Sequence, residues 1–113
     1  MKLLVTAATT LEIQPFLTFL DQHRPTLSAA GCDIDILRAG RGMMHTAYSL
    51  GRHLAVNKPD LAIQAGIAGT FRQEWDLGQV VLIGQEYLAD LGAEDNGQFK
   101  DLFDIQLWQP SQP

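Results

Sequence analysis

The sequence of 113 residues lacks several features that would place it in particular classes of protein. Cys32 is its only cysteine, which excludes an intrachain disulfide and favours a reducing compartment. It contains no run of about 20 apolar residues, as a membrane span requires. The apolar core of its N-terminus is too short for a signal peptide. We therefore expect a cytoplasmic protein without a membrane partner.

Clusters of basic residues are missing too. The net charge is −5, and the eight Lys and Arg residues are scattered, which argues against a nucleic-acid-binding surface. The three histidines do not cluster at the spacing of metal ligands. The glycine-rich fingerprints of P-loop and dinucleotide-binding folds are absent where those folds need them. The sequence therefore predicts a protein that binds no nucleic acid, no metal and no cofactor.

The apolar residues that are present alternate between strand-like and helix-like patterns. The uncharged run Leu61–Ala65 is typical of a strand buried on both faces, as in a parallel sheet. The order β-α-β-α-β-β predicts an α/β layer. The predicted strands are Leu3–Ala8, Cys32–Leu37, Leu61–Ala65 and Val80–Ile83, and the predicted helices run from Leu11 to near Pro25 and from Met43 to Asn57. From Glu94 onwards we predict polar, irregular structure.

Chemistry-bearing residues follow the first two predicted strands, where ligands bind in open α/β sheets. Glu12 has two interpretations, as a general base acting on water and as the partner of Thr9 in a capping box. The turn Gly40-Arg41-Gly42 also has two. Its N–H groups and Arg41 could contact a sugar or an anion, or the turn could simply connect strand to helix with Arg41 in solvent.

The third predicted strand ends in glycines at Gly66 and Gly69. Glycine at the end of a buried strand allows positive φ or a close approach of the backbone to a ligand. A G-x-x-G pattern is weak by itself, but here it joins Glu12 and the Gly40–Gly42 turn in one order along the chain.

With that order, and with Gly78–Val81 opening the next strand, the sequence resembles the N-terminal half of the nucleoside phosphorylase superfamily. The nearest branch is that of the nucleosidases, which includes methylthioadenosine/S-adenosylhomocysteine nucleosidase and futalosine hydrolase. The runs Gly42–Ala47 and Ala65–Phe71 are most similar to futalosine hydrolases of menaquinone biosynthesis. The resemblance covers nearly all of residues 1–92, and residues 93–113 are expected to be an irregular tail or a remnant of the missing half.

The resemblance implies a sheet-centred three-layer α/β sandwich, present as about half of the full fold, in a protein that forms homo-oligomers. It implies hydrolysis of the N-glycosidic bond of a purine nucleoside through an oxocarbenium-like transition state. Glu12 would activate the water. The residues that would bind substrate are Gly42 and Met43 on the ribose side, and Gly66, Ile67, Ala68, Gly69 and Phe71 along the base pocket. Arg41, which replaces an apolar residue usual in the family's turn, is a further candidate for binding substrate.

Departures from the family pattern refine these expectations. Phosphorylase relatives carry Arg after the first strand and before the glycine-rich segment, and this chain does not, which favours water over phosphate as nucleophile. Ile67 replaces a Ser of adenosine-type nucleosidases, so we expect a futalosine-like substrate whose carboxylate Arg41 would pair with. The family's ribose clamp and its general acid have no counterpart here, and general acid catalysis is commonly worth about 10²–10⁴-fold.

The chain alone is therefore expected to be inactive or nearly so. Two other functions remain open at this point. One is a nucleoside phosphorylase of the same fold, and the other is a non-catalytic α/β module for binding or oligomerisation.

Overall fold

The structure is a computed structural model that describes residues 1–109. The chain forms two compact units, Met1–Phe71 and Arg72–Pro113. The division after residue 92 was expected from the family resemblance, and it stays a prediction. Among residues 1–109, no helix combines the length and the apolarity needed to cross a membrane.

The first unit is a mixed α/β domain built on a three-stranded parallel sheet, so the predicted α/β class is confirmed for this unit. The strand order is β2-β1-β3, with β1 in the centre. A single 3-10 turn, Leu11–Ile13, precedes the first helix. The strands are β1 (Lys2–Ala7), β2 (Asp33–Arg38) and β3 (Leu61–Gln64), and the helices are α1 (Gln14–Ala29) and α2 (Met43–Val56).

Helix α1 covers one face of this sheet. Val5 of β1, Ile34 of β2 and Leu20 of α1 are buried together. Because the register pairs Val5 with Ile36 and Leu3 with Ile34, these side chains share one face. Partly buried apolar residues surround the cluster, namely Leu3, Phe16, Leu27, Cys32, Ile36 and Ala65.

Helix α2 contacts the opposite face. Asp35 lies between Ile34 and Ile36 in β2, so its side chain points away from α1. His53 of α2 pairs with Asp35, at 3.2 Å between Nε2 and Oδ2. The two helices therefore lie on opposite sides of the sheet, as they do in a doubly wound arrangement.

The predicted end of the first helix near Pro25 was wrong, because α1 continues to Ala29. Gly31, two residues beyond the last residue of α1, has a φ of +73° and turns the chain away from the helix. The Gly31 N–H donates to Ser28 O at 2.9 Å, and the Cys32 N–H donates to Leu27 O at 2.9 Å. These are the two bonds of a Schellman motif, and Leu27 and Cys32 both pack against the core as that motif requires.

The expectation that Leu61–Ala65 is buried on both faces was also wrong. Every residue of β3 is exposed, with Leu61 at 50% and Ile63 at 44%. The physical reason is its position: β3 is an edge strand that pairs with β1 alone among the described strands. Its apolar side chains are therefore exposed, although an apolar run of this kind is typical of a strand that is packed on both faces.

The predicted strand Val80–Ile83 does not form in the structure. These residues have no regular secondary structure, and Val80 and Leu82 are 94% and 98% exposed. A strand needs a neighbouring strand for its backbone hydrogen bonds, and the described part of the chain supplies none here.

The second unit contains a hairpin where irregular structure was predicted. Strands β4 (Gly92–Asp95) and β5 (Gln98–Asp101) pair in antiparallel register around Asn96-Gly97. Both turn residues have positive φ, 52° and 77°, as a two-residue type I′ turn requires. Asn-Gly is the strongest short-range sequence signal for such a turn.

Candidate functional site

Three loops of the first unit leave the carboxyl edge of the sheet side by side. They follow β1, β2 and β3, which are adjacent and parallel. Backbone bonds extend the pairing to the start of each loop, because the Ala39 N–H donates to Ala7 O at 2.9 Å and the Ala65 N–H donates to Thr6 O at 2.8 Å. The chain winds from β1 to β2 and then back across β1 to β3, so a topological switch point lies at this edge.

Glu12 lies in the 3-10 turn just after the β1 loop and is partly buried. Its Oε2 accepts a hydrogen bond from the backbone N–H of Thr9 at 3.0 Å. The capping interaction expected for this carboxylate is therefore present. The bond engages one carboxylate oxygen and fixes the side chain against the loop, so the capping interpretation and a chemical role for the other oxygen are compatible.

The turn after β2 is shaped by two glycines around Arg41. Gly40 has a φ of +89°, and Gly42 has a φ of 83° with a ψ of 156°. The Gly42 conformation is one that only glycine adopts readily. The G-x-G pattern is thus required by the backbone itself, whatever the turn binds.

Two residues of α2 that sequence reasoning did not single out hold this turn. The His45 ring lies with Nδ1 3.2 Å from the carbonyl oxygen of Arg41. The Thr46 hydroxyl donates to Gly40 O at 3.4 Å, and the Thr46 N–H donates to Gly42 O at 3.1 Å. The sequence signal for this contact is a histidine in the first helical turn after a G-x-G sequence.

Arg41 and Met43, the side chains expected near a substrate, are both exposed beside this turn. Met43 begins α2 and is 57% exposed. Within residues 1–109, no ion pair involves Arg41. Its guanidinium is available to a carboxylate or phosphate at the sheet edge.

The segment after β3 is open to solvent. Ile67 is 80% exposed, and Phe71, at the end of the unit, is fully exposed. Neither Gly66 nor Gly69 has a positive φ, and a Cβ added to either would meet nothing within 4 Å. The exposed Ala68 lies between them. Within the described structure neither the backbone nor packing requires glycine at these two positions.

Two grooves of the first unit lie away from these loops. One, of about 370 Å³, runs between β2 and α2. The other, of about 180 Å³, lies at the amino end of the sheet. Neither is lined by a residue of the predicted site, which at the carboxyl edge forms an open surface. The larger groove is lined by Leu37, Tyr48, Ser49, Arg52, His53, Val56 and Asn57.

Metal-ligand clusters do not occur in the part of the chain that the structure describes: no three His, Cys, Asp or Glu side chains there could hold a metal ion. Comparisons of the chain with models of protein families, with curated proteins and with solved structures each find no match. A function for the chain therefore has to be inferred from its own residues and from its resemblance to the nucleosidases.

Proposed function

We propose that the chain is a purine nucleoside hydrolase-like protein that uses water to cleave the N-glycosidic bond of a futalosine-type substrate. The observation that carries the proposal is the convergence of three loops at one edge of the parallel sheet. These loops bring Glu12, the Gly40–Gly42 turn and the Gly66–Phe71 segment to the place where α/β sheets bind ligands. A nucleosidase of the resembled family would have the same three segments in the same order.

The proposed mechanism assigns the nucleophilic side to Glu12. An oxocarbenium-like transition state needs only a positioned and partly deprotonated water. With Oε2 held by the Thr9 N–H, the second carboxylate oxygen of Glu12 can accept a proton from such a water. The capping bond then contributes to catalysis by fixing the orientation of the base.

The proposed substrate class follows from Arg41 and Ile67. Arg41 is exposed at the ribose-side turn, and a bidentate pair with a carboxylate suits its guanidinium. Ile67 has no hydroxyl to offer to a simple adenosine analogue. Both features favour a purine nucleoside that carries a carboxylate group, such as futalosine. The absence of a second cation in the matching loops supports water over phosphate as the nucleophile.

Turnover by the isolated chain is expected to be very low. The resemblance assigns the ribose clamp and the general acid to segments that have no counterpart in this sequence. Free purine released from futalosine would be measured by chromatography, with and without phosphate. Rapid release would contradict this expectation, and release that depends on phosphate would favour a phosphorylase instead.

Binding provides the sharper test of the proposed site. Futalosine added to the ¹⁵N-labelled chain should shift the backbone amides of residues 40–43 and 66–71. Gly69→Val should abolish these shifts, because the added side chain fills the space a ligand would use while a β-branched residue tolerates negative φ there. Gly84→Val is a matched control, since a Cβ added to Gly84 also meets nothing within 4 Å and Gly84 is not a residue of the proposed site.

Shifts confined to other parts of the chain, or equal effects of the two valine variants, would contradict the proposed site. An absence of binding to futalosine, methylthioadenosine and adenine alike would favour a non-catalytic module.

A further inference from the structure

We propose that His45 is a positioning residue that fixes the direction in which the Gly40–Gly42 turn presents Arg41. This inference rests on the proposed function, because it assigns the carboxylate selectivity of that site to a residue outside the binding loops. It arises from three contacts between α2 and the turn, none of which the mechanism above uses.

The first contact is a hydrogen bond whose direction is fixed by chemistry. The carbonyl oxygen of Arg41 can only accept, and Nδ1 of His45 lies 3.2 Å from it. In the neutral ring Nδ1 therefore carries the proton, and Nε2 is left as an acceptor. The bond fixes the plane of the peptide between Arg41 and Gly42.

The second contact is steric. A Cβ built on Gly40 would lie 3.0 Å from the Cβ of His45, so the histidine occupies the space that a side chain at position 40 would need. The absence of a side chain at Gly40 thus has two effects. It allows the positive φ of +89°, and it leaves room for the side chain of His45.

The third contact comes from the neighbouring residue. The Thr46 hydroxyl donates to Gly40 O at 3.4 Å, so side chains of α2 bind two successive carbonyl groups of the turn. Two glycines with positive φ would otherwise leave Arg41 on a mobile hinge. Holding both carbonyls reduces the conformational freedom that a bound ligand would have to remove.

His23 shows what makes His45 different. Its Nδ1 also lies close to the carbonyl oxygen four residues earlier, that of Phe19, at 2.8 Å. That carbonyl belongs to the body of α1, whose backbone is already fixed. The carbonyl that His45 binds belongs to a turn outside the helix, so the same local contact controls a loop conformation.

The test compares His45→Ala with His45→Asn. The Nδ2 group of asparagine can take the place of Nδ1 and donate to Arg41 O, so Asn should rescue what Ala loses. We expect His45→Ala to raise the fast-timescale mobility of the Arg41 and Gly42 amides, measured by ¹⁵N relaxation. His45→Asn should return this mobility to the wild-type level. His23→Ala is the matched control and should change neither amide.

Ligand titrations give the second readout. His45→Ala should weaken binding of futalosine about tenfold, the order expected when one hydrogen bond that holds the turn is lost. Binding of methylthioadenosine, which has a ribose and no carboxylate, should weaken much less. Equal weakening of both ligands would overturn the assigned selectivity. Unchanged amide mobility in His45→Ala, or a proton on Nε2 instead of Nδ1, would overturn the positioning role. If the wild-type chain binds neither ligand, the proposed function fails, while relaxation still decides the role of His45.

Discussion

Glu12 has a structural contact that can be separated from its proposed chemical role. Replacing Glu12 with Ala removes the acceptor of the Thr9 N–H bond and should lower the free energy of unfolding by about 1 kcal/mol. Glu12→Gln keeps an amide oxygen at the same place, so it should fold nearly as stably as the wild type. Urea denaturation of the two variants measures the difference.

Equal destabilisation by the two Glu12 variants would contradict the capping role. The pair also provides the right reagent for studies of activity. Because Gln preserves the fold and cannot accept a proton from water, loss in Glu12→Gln of the low residual hydrolysis expected of the chain would report on chemistry alone.

At the turn after β2, the sequence pattern indicates the turn itself but not the side chains of α2 that hold it. G-x-G indicates a turn with unusual φ values, and both glycines have them. His45 and Thr46 read simply as the start of an amphipathic helix, because their contacts to Gly40 and Arg41 depend on how the helix meets the turn. Such contacts depend on the three-dimensional structure and cannot be predicted from the sequence alone.

At the scale of elements, α1 shows which of two helix-ending signals dominates. Pro25 lacks an N–H, yet the helix continues past it to Ala29, and the chain turns away at the positive φ of Gly31. We predict that Gly31→Ala lowers the stability of the domain by about 1–2 kcal/mol, because alanine in a left-handed conformation is strained. Space is not the cause, since nothing lies within 4 Å of the added Cβ.

Pro25→Ala should act in the opposite direction, because it gives the helix back one backbone donor without disturbing the cap. Thermal unfolding followed by circular dichroism compares the two variants. A stabilised Gly31→Ala, or a Pro25→Ala variant with a shortened helix, would show that the helix does not end as described.

Whether an element could be predicted depended on how local its cause is. The hairpin β4–β5 follows from Asn96-Gly97, a signal contained in two residues, although the polar composition of this region predicts irregular structure. The apolar run Val80–Ile83 has strand composition and forms no strand, because pairing needs a second strand that composition does not supply. Local signals predict turns and caps, whereas strand pairing is a property of the whole sheet.

At the scale of the whole molecule, the buried apolar core is confined to the first unit. Its buried hydrophobic residues all precede position 40, and residues 72–109 contribute none. Strand β3 leaves apolar side chains in solvent, and within residues 1–109 no strand pairs with its outer backbone edge. Leu61–Gln64 contains no charge or proline to discourage pairing. Such an edge favours association with another strand. We therefore propose that the chain forms homo-oligomers through this edge.

A charge placed on the edge tests the proposal. Gln64→Lys introduces a cation at an exposed position of β3, where it should weaken strand-to-strand association about tenfold while changing stability by less than about 0.5 kcal/mol. Gln22→Lys adds the same charge on the exposed surface of α1 and should leave association unchanged. Sedimentation velocity over a range of concentrations measures both variants against the wild type.

A wild-type chain that sediments as a monomer at every concentration would contradict the proposal. Association weakened equally by the two lysines would point to net charge instead of the β3 edge, because only Gln64 lies where a second strand would have to bind.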